Sequence, residues 1–161
     1  MEQSELELLY TTYSKELFLY AFSFTKNQHD AEELVSDAFF QLAIQDNQPK
    51  NIKFWLFLVV KNRFIDQKRK KKRWQITSLD FFQPKEHKKT DDSLLLSEKN
   101  QALYNALDSL KSPNKELILF FYFLDWSTIE IGEFLSLTPN QVRVGLHRSR
   151  KQLKEVLKNE N

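Results

Sequence analysis

Two glycines and four prolines are all that a chain of 161 residues contains. A sheet-rich fold needs many tight hairpins, and a chain this poor in turn formers cannot close them, whereas helices need few such residues. The expectation is an all-α protein. Its length suits one ordinary domain or two very small ones, and its 14 phenylalanines let small helical domains bury enough area to fold. There is no cysteine, so disulfides and thiolate metal sites are excluded. His29, His87 and His147 are scattered with no ligand spacing; no metal and no cofactor is expected. The opening MEQSELELL is acidic where a signal peptide would be basic, and the longest mid-chain apolar run, Phe54 to Val60, is far short of the ~20 residues that span a bilayer. A soluble cytoplasmic protein without membrane insertion is expected.

Apolar residues recur at helical steps in most of the chain. Leu6, Leu9, Tyr10, Tyr13, Leu17, Tyr20 and Phe24 predict a helix over about 4–25, ended by Lys26-Asn27. Asp30 as cap, with Glu33 at the third position, predicts a second helix whose stripe is Ala31, Leu34, Val35, Ala38, Phe39 and Leu42. A polar loop over 45–53 precedes a third helix over about 54–73. From Trp74 to roughly Ser93 the periodicity vanishes and Pro, Ser, Thr and charges mix, which reads as a flexible linker. Helical spacing resumes with Leu103, Ala106, Leu107 and Leu110. Ser112 and Pro113 suit the cap and first position of a helix carrying Leu117, Ile118, Phe121 and Leu124. The fold expected is two small helical domains, 1–74 and 97–161, joined by a linker over 75–96.

Charge is segregated. Residues 1–48 hold nine acids and two bases, net −7, whereas 49–73 hold ten bases and one acid, net +9, in a chain of formal net charge +2. A basic stripe attracts polyanions whatever the global sum; the acidic segment before it calls for a different partner. Within the third helix, FWLFLVVKNRFIDQKRKKKR, the aromatic and aliphatic half would anchor in a core through Phe54, Trp55, Phe57, Leu58 and Phe64, holding the basic half rigid. Asn62 and Asp66, one turn apart at the junction, are placed to hydrogen-bond an unstacked base. They could equally be solvated helix residues.

The C-terminal pattern is that of a helix-turn-helix. Ser127 caps a short helix with Ile129, Ile131, Phe134 and Leu135; Ser136-Leu137-Thr138 breaks it; Pro139 opens a last helix through about Lys158, with Val142, Leu146, Leu153 and Leu157 inward. Gly132 stands where the two helices approach closely, and Ser136 occupies a break position that glycine often fills. Asn140, Gln141, Arg143, Val144, His147 and Arg148 would face DNA, since Arg, Asn and Gln can pair with purine edges. Arg150, Lys151 and Lys154 lie further along and suit phosphates. A helical hairpin with a solvated basic face is the bland alternative.

These residues resemble a known family. Asp30-Ala31-Glu32-Glu33-Leu34-Val35-Ser36-Asp37-Ala38-Phe39, followed by Trp55-Leu56 and then Asn62, Asp66 and Arg69, resembles the first module of the extracytoplasmic-function (ECF) sigma factors of bacterial RNA polymerase. Leu107 to Leu153 resembles their second module, with Ile131-Gly132 where the family usually has Ile-Ala and Asp125-Trp126 where it usually has Asp-Gly. Trp126 is then either a partner or a core contact. The resemblance implies that the second helix docks on the largest subunit of core RNA polymerase through Glu33, Ser36 and Asp37. It implies that Asn47, Lys50, Asn51, Lys53, Asn62, Asp66 and Arg69 serve minus-10 recognition and melting. It assigns minus-35 recognition to Asn140, Gln141, Arg143, His147 and Arg148, and an anti-sigma protein as the controlling partner. Promoter-specific initiation without enzymatic activity follows. The rivals are a stand-alone helix-turn-helix regulator, which would bind duplex tightly without polymerase, and an RNA-binding or structural adaptor.

Overall fold

The computed structural model describes residues 1–77 and 98–159, all their regular structure being helical. The chain divides into two compact units, the first running to Asp92 and the second starting at Ser93. The expected linker, 75–96, lies outside the described residues, except that the third helix continues through Thr77.

The first unit holds three helices, α1 (Gln3–Thr25), α2 (Gln28–Ile44) and α3 (Ile52–Thr77). Lys26 ends α1 in the left-handed conformation (φ 56°) and donates its N–H to the Phe22 carbonyl at 2.9 Å. The N-cap of α2 is Asn27, not Asp30: the Asn27 side-chain oxygen accepts the Asp30 N–H at 2.9 Å, so Asp30 lies inside the first turn. Both residue types cap well; the tight reversal after Lys26 places Asn27 where a cap is needed. Asn51 does the same for α3, its Oδ1 accepting the Phe54 N–H at 3.1 Å, so that helix starts ahead of the expected Phe54.

The core of this unit is the line where the three helices meet. Leu17, Tyr20 and Ala21 of α1, Ala31, Leu34, Ala38 and Leu42 of α2, and Leu56, Phe57 and Val60 of α3 are almost wholly buried. Rings bind α1 to α3: Tyr20 lies 5.1 Å from Phe57, and Phe24 lies 4.5 Å from Phe64, centroid to centroid. Of the expected α3 anchors Phe57 is buried and Phe54, Trp55 and Phe64 half-buried, but Leu58 is 47% exposed. Beyond Phe64 the helix leaves the core, and Lys68 through Arg73 are exposed.

The second unit comprises α4 (Glu98–Asp108), α5 (Asn114–Ile118), a π-helical segment (Leu119–Phe123), α6 (Thr128–Leu135) and α7 (Pro139–Asn159). Pro113 is the residue before α5 and not its first helical position, and the Ser112 hydroxyl bonds the Glu116 carboxylate at 2.6 Å instead of capping the backbone. The π-helical segment widens the turn, as the Leu124 N–H reaches back to the Leu119 carbonyl at 3.1 Å. Leu117, Ile118, Leu119 and Phe120 are consequently all buried in succession, while Phe121 is only half-buried. Such a run does not fit one helical face; it fits a central element covered on several sides.

Trp126 belongs to the core. Its indole is buried and stacks on Phe120, with Phe134 edge-on to both rings at 5.5 and 5.6 Å. Ser127 and Glu130 form a reciprocal capping box at the start of α6. No described helix is long and apolar enough to cross a membrane.

Candidate nucleic-acid interfaces

The helix-turn-helix is α6, Ser136-Leu137-Thr138 and α7. Ser136 adopts the left-handed conformation (φ 59°) that makes glycine common there. The chain then turns tightly enough for the Leu137 N–H to bond the Gly132 carbonyl at 2.8 Å. Thr138 and Gln141 form a second capping box: the Thr138 hydroxyl accepts the Gln141 N–H at 3.1 Å, and the Gln141 side-chain oxygen accepts the Thr138 N–H at 2.9 Å. Val142, Leu146 and Ser149 face inward and are buried, with Leu153 and Leu157 half-buried.

The outward side of α7 carries Asn140, Gln141, Arg143, Val144, His147, Arg148, Lys151 and Lys154, all exposed. One expected reader, Gln141, and one expected phosphate contact, Arg150, also make hydrogen bonds within the unit. The capping box holds the carbonyl end of Gln141, leaving its amide nitrogen as the group that could meet a base. Arg150, expected at phosphates, turns aside, its Nη1 donating to the Tyr122 hydroxyl at 2.8 Å beside an apolar groove that Ile118, Phe123, Leu153 and Leu157 also line. Tyr122 reaches it from the π-helical segment, a contact no local spacing announces.

In the first unit, Asn47, Lys50, Asn51, Asn62, Asp66 and Arg69 are exposed and Lys53 is half-buried. Asn62, Asp66 and Arg69 stand at steps of four and three on one side of α3, in line with the exposed Leu58. The Oδ1 of Asn51 already accepts its cap bond, and its amide nitrogen is the donor that a ligand could meet. Lys68 reaches back over the Phe64 ring, 5.4 Å from its centroid, tying the start of the basic run to the last core aromatic.

A third face lies on α2. Glu33 and Ser36 are exposed and Asp37 is half-buried. Along the same side follow Phe40 and Ile44, 61% and 57% exposed. Sequence reasoning missed both. The only available signal was that they fall off the buried stripe of Ala31, Leu34, Val35, Ala38 and Leu42 while being strongly apolar. A large apolar pair in water beside carboxylates is the makeup of a protein-docking surface. Among the described residues no cluster of histidine, aspartate or glutamate could hold a metal ion.

Known proteins resemble this chain over most of its length. The family model for Sigma-70 region 2 matches residues 9–74, and that for Sigma-70, region 4 matches residues 100–153. The chain belongs to the sigma-70 family. Within that family it is similar to ECF sigma factors: it is 30% identical over 142 residues to ECF RNA polymerase sigma factor SigE of Mycolicibacterium smegmatis, a match covering 85% of this chain and 55% of that protein. The chain thus spans about half the length of that relative. It is 24% identical to ECF RNA polymerase sigma factor SigM of Bacillus subtilis, with 94% of each chain covered. Two solved structures share the fold: CnrH in complex with the cytosolic domain of CnrY (TM-score 0.72, 21% identity, 99% of this chain and 92% of that one), and RpoE in complex with the anti-sigma factor NepR from Bartonella quintana (TM-score 0.69, 23% identity, 98% and 99%). Sigma-70 membership, with both regions present, makes the chain a promoter-recognising sigma factor of RNA polymerase, not a stand-alone regulator and not an enzyme.

Proposed function

We propose that this sigma factor divides its work among the three faces just described. The α2 face, Glu33, Ser36 and Asp37 extended by Phe40 and Ile44, docks on core RNA polymerase. Residues 1–74 act as the module that recognises and melts the minus-10 element: Asn47, Lys50, Asn51, Lys53, Asn62 and Asp66 receive an unstacked base, while Arg69 and the basic end of α3 hold phosphates. Residues 97–161 read the minus-35 element through Asn140, Gln141, Arg143, His147 and Arg148. The observation that carries this reading is α3 itself, rooted in an aromatic core at one end and bare and cationic at the other, with Asn62 and Asp66 exposed at the junction. A base held there favours the melted strand over the duplex, so binding energy drives opening without chemical fuel. Phosphate contacts supply salt-sensitive affinity and base contacts supply choice, each good base contact being worth roughly 1–3 kcal/mol.

The working compartment is the cytoplasm, where core polymerase and promoters are. An anti-sigma protein is the partner that controls access, the two solved relatives named above being captured with CnrY and NepR. Transcription reconstituted with core polymerase on a promoter library tests the reading. The native chain should impose one start-site consensus, and Asn62→Ala and Asp66→Ala should relax base preference in its minus-10 part without lowering thermal stability. Core polymerase that gains no start-site preference from the chain would refute it.

A further inference from the structure

Asn140, Val144, His147 and Lys151 follow one another along α7 at steps of four, three and four, forming an exposed ridge opposite the buried Val142, Leu146 and Ser149. Three of the four are polar. Val144 is the exception, a β-branched side chain 42% exposed in the middle of the ridge. It fills no core there, and valine is a poor choice for helix propensity alone. Arg143 and Arg148, both exposed, stand on either side of it, and Val144 shares a groove with Leu117, Leu137, Asn140, Gln141 and Arg148. Two arginines and the amides of Asn140 and Gln141 around it, with no carboxylate lining the groove, favour a polyanion as the occupant. Within the major groove of DNA one base offers an apolar partner, thymine with its 5-methyl group.

The geometry points to Val144 as a specificity-determining residue that selects thymine at one position of the minus-35 element by van der Waals contact with that methyl. This rests on the reading of α7 as the minus-35 helix. It adds the one contact in the set that no hydrogen-bond pairing supplies.

The test uses the full chain assembled with core polymerase. Duplexes randomised across the minus-35 element are enriched for binding, and each thymine of the selected element is then replaced singly by deoxyuridine, which keeps every hydrogen-bonding group and loses only the methyl. At one position the native chain should bind about fourfold more weakly to deoxyuridine, the worth of one buried methyl-sized group. Val144→Ala should bind thymine and uracil equally at that position, with unchanged preference elsewhere and an unchanged thermal melt; Val144→Thr, keeping one methyl, should retain part of the difference. A selected element without thymine, no deoxyuridine effect at any position, or an effect that persists undiminished in Val144→Ala would overturn the inference. If the pool yields no selected element at all, the assignment of α7 to minus-35 reading fails and the inference falls with it; a selected element without methyl sensitivity sinks the inference alone.

Discussion

The Leu137 carbonyl oxygen lies 2.5 Å from where a Cβ on Gly132 would sit, while the Leu137 N–H donates to the Gly132 carbonyl. The two residues clamp the turn of the helix-turn-helix from both ends. Because the obstruction is backbone and not the tip of a side chain, it cannot swing away. Gly132→Ala should therefore destabilise the second unit by about 1–3 kcal/mol, despite the better helix propensity of alanine. Alanine is what the family pattern would put there. Ser136→Gly, relieving a left-handed serine in the same turn, should stabilise by about 0.5–1 kcal/mol. Thermal melts of the two variants should move in opposite directions.

Trp126 and Phe120 stack at 4.2 Å with planes 8° apart, and this pair forms the centre of the second unit. Trp126→Ala should cost about 3–5 kcal/mol, enough to unfold that unit. Urea titration followed by far-ultraviolet circular dichroism should then show an early transition carrying only part of the helical signal, because the first unit has a core of its own in Leu17, Tyr20, Leu34, Leu56 and Phe57.

Phe40→Ala removes an exposed ring and should leave the melting temperature within about 1 °C of the native value, since exposed truncations have small effects. Affinity for core polymerase should fall tenfold or more, as for a central aromatic of an interface. Glu33→Lys with Asp37→Lys should weaken the same complex. Binding measured with labelled core polymerase separates these variants from Asn62→Ala, which should bind core normally.

Lys151→Ala should lower the slope of log affinity against log salt by about 0.9 for promoter binding by the assembled polymerase, the share of one phosphate. Arg150→Ala should change that slope by much less, because its guanidinium is engaged by Tyr122. A full phosphate's worth of slope lost in Arg150→Ala would show that the guanidinium reaches a phosphate despite its bond to Tyr122.

Periodicity located the helices, and local chemistry located Ser127 as the cap of α6, because both signals are carried by residues a few positions apart. Candidate readers on α3 and α7 were legible for the same reason: exposure follows from being opposite a buried stripe. What escaped depends on packing between distant elements. The choice of Asn27 over Asp30 as cap follows from how α1 ends. The π-helical segment follows from wrapping Leu119 and Phe120 inside neighbours on several sides. Phe40 and Ile44 are apolar letters like any core residue until the covering helix is known, and the diversion of Arg150 needs Tyr122, 28 positions away.

That α3 runs unbroken from Phe57 to Arg73 makes it a measuring rod. At 1.5 Å per residue, the eleven steps from Asn62 to Arg73 fix about 16 Å between the side chain proposed to meet the extruded base and the last cation of the basic run, close to five base pairs of stacked duplex. Lengthening the rod by one residue between Asp66 and Lys68 would turn its far end by about 100° relative to the near one. On the proposed reading, the point where the strands part and the upstream hold on the double helix are thereby locked in phase, a spacing written into the pitch of one helix.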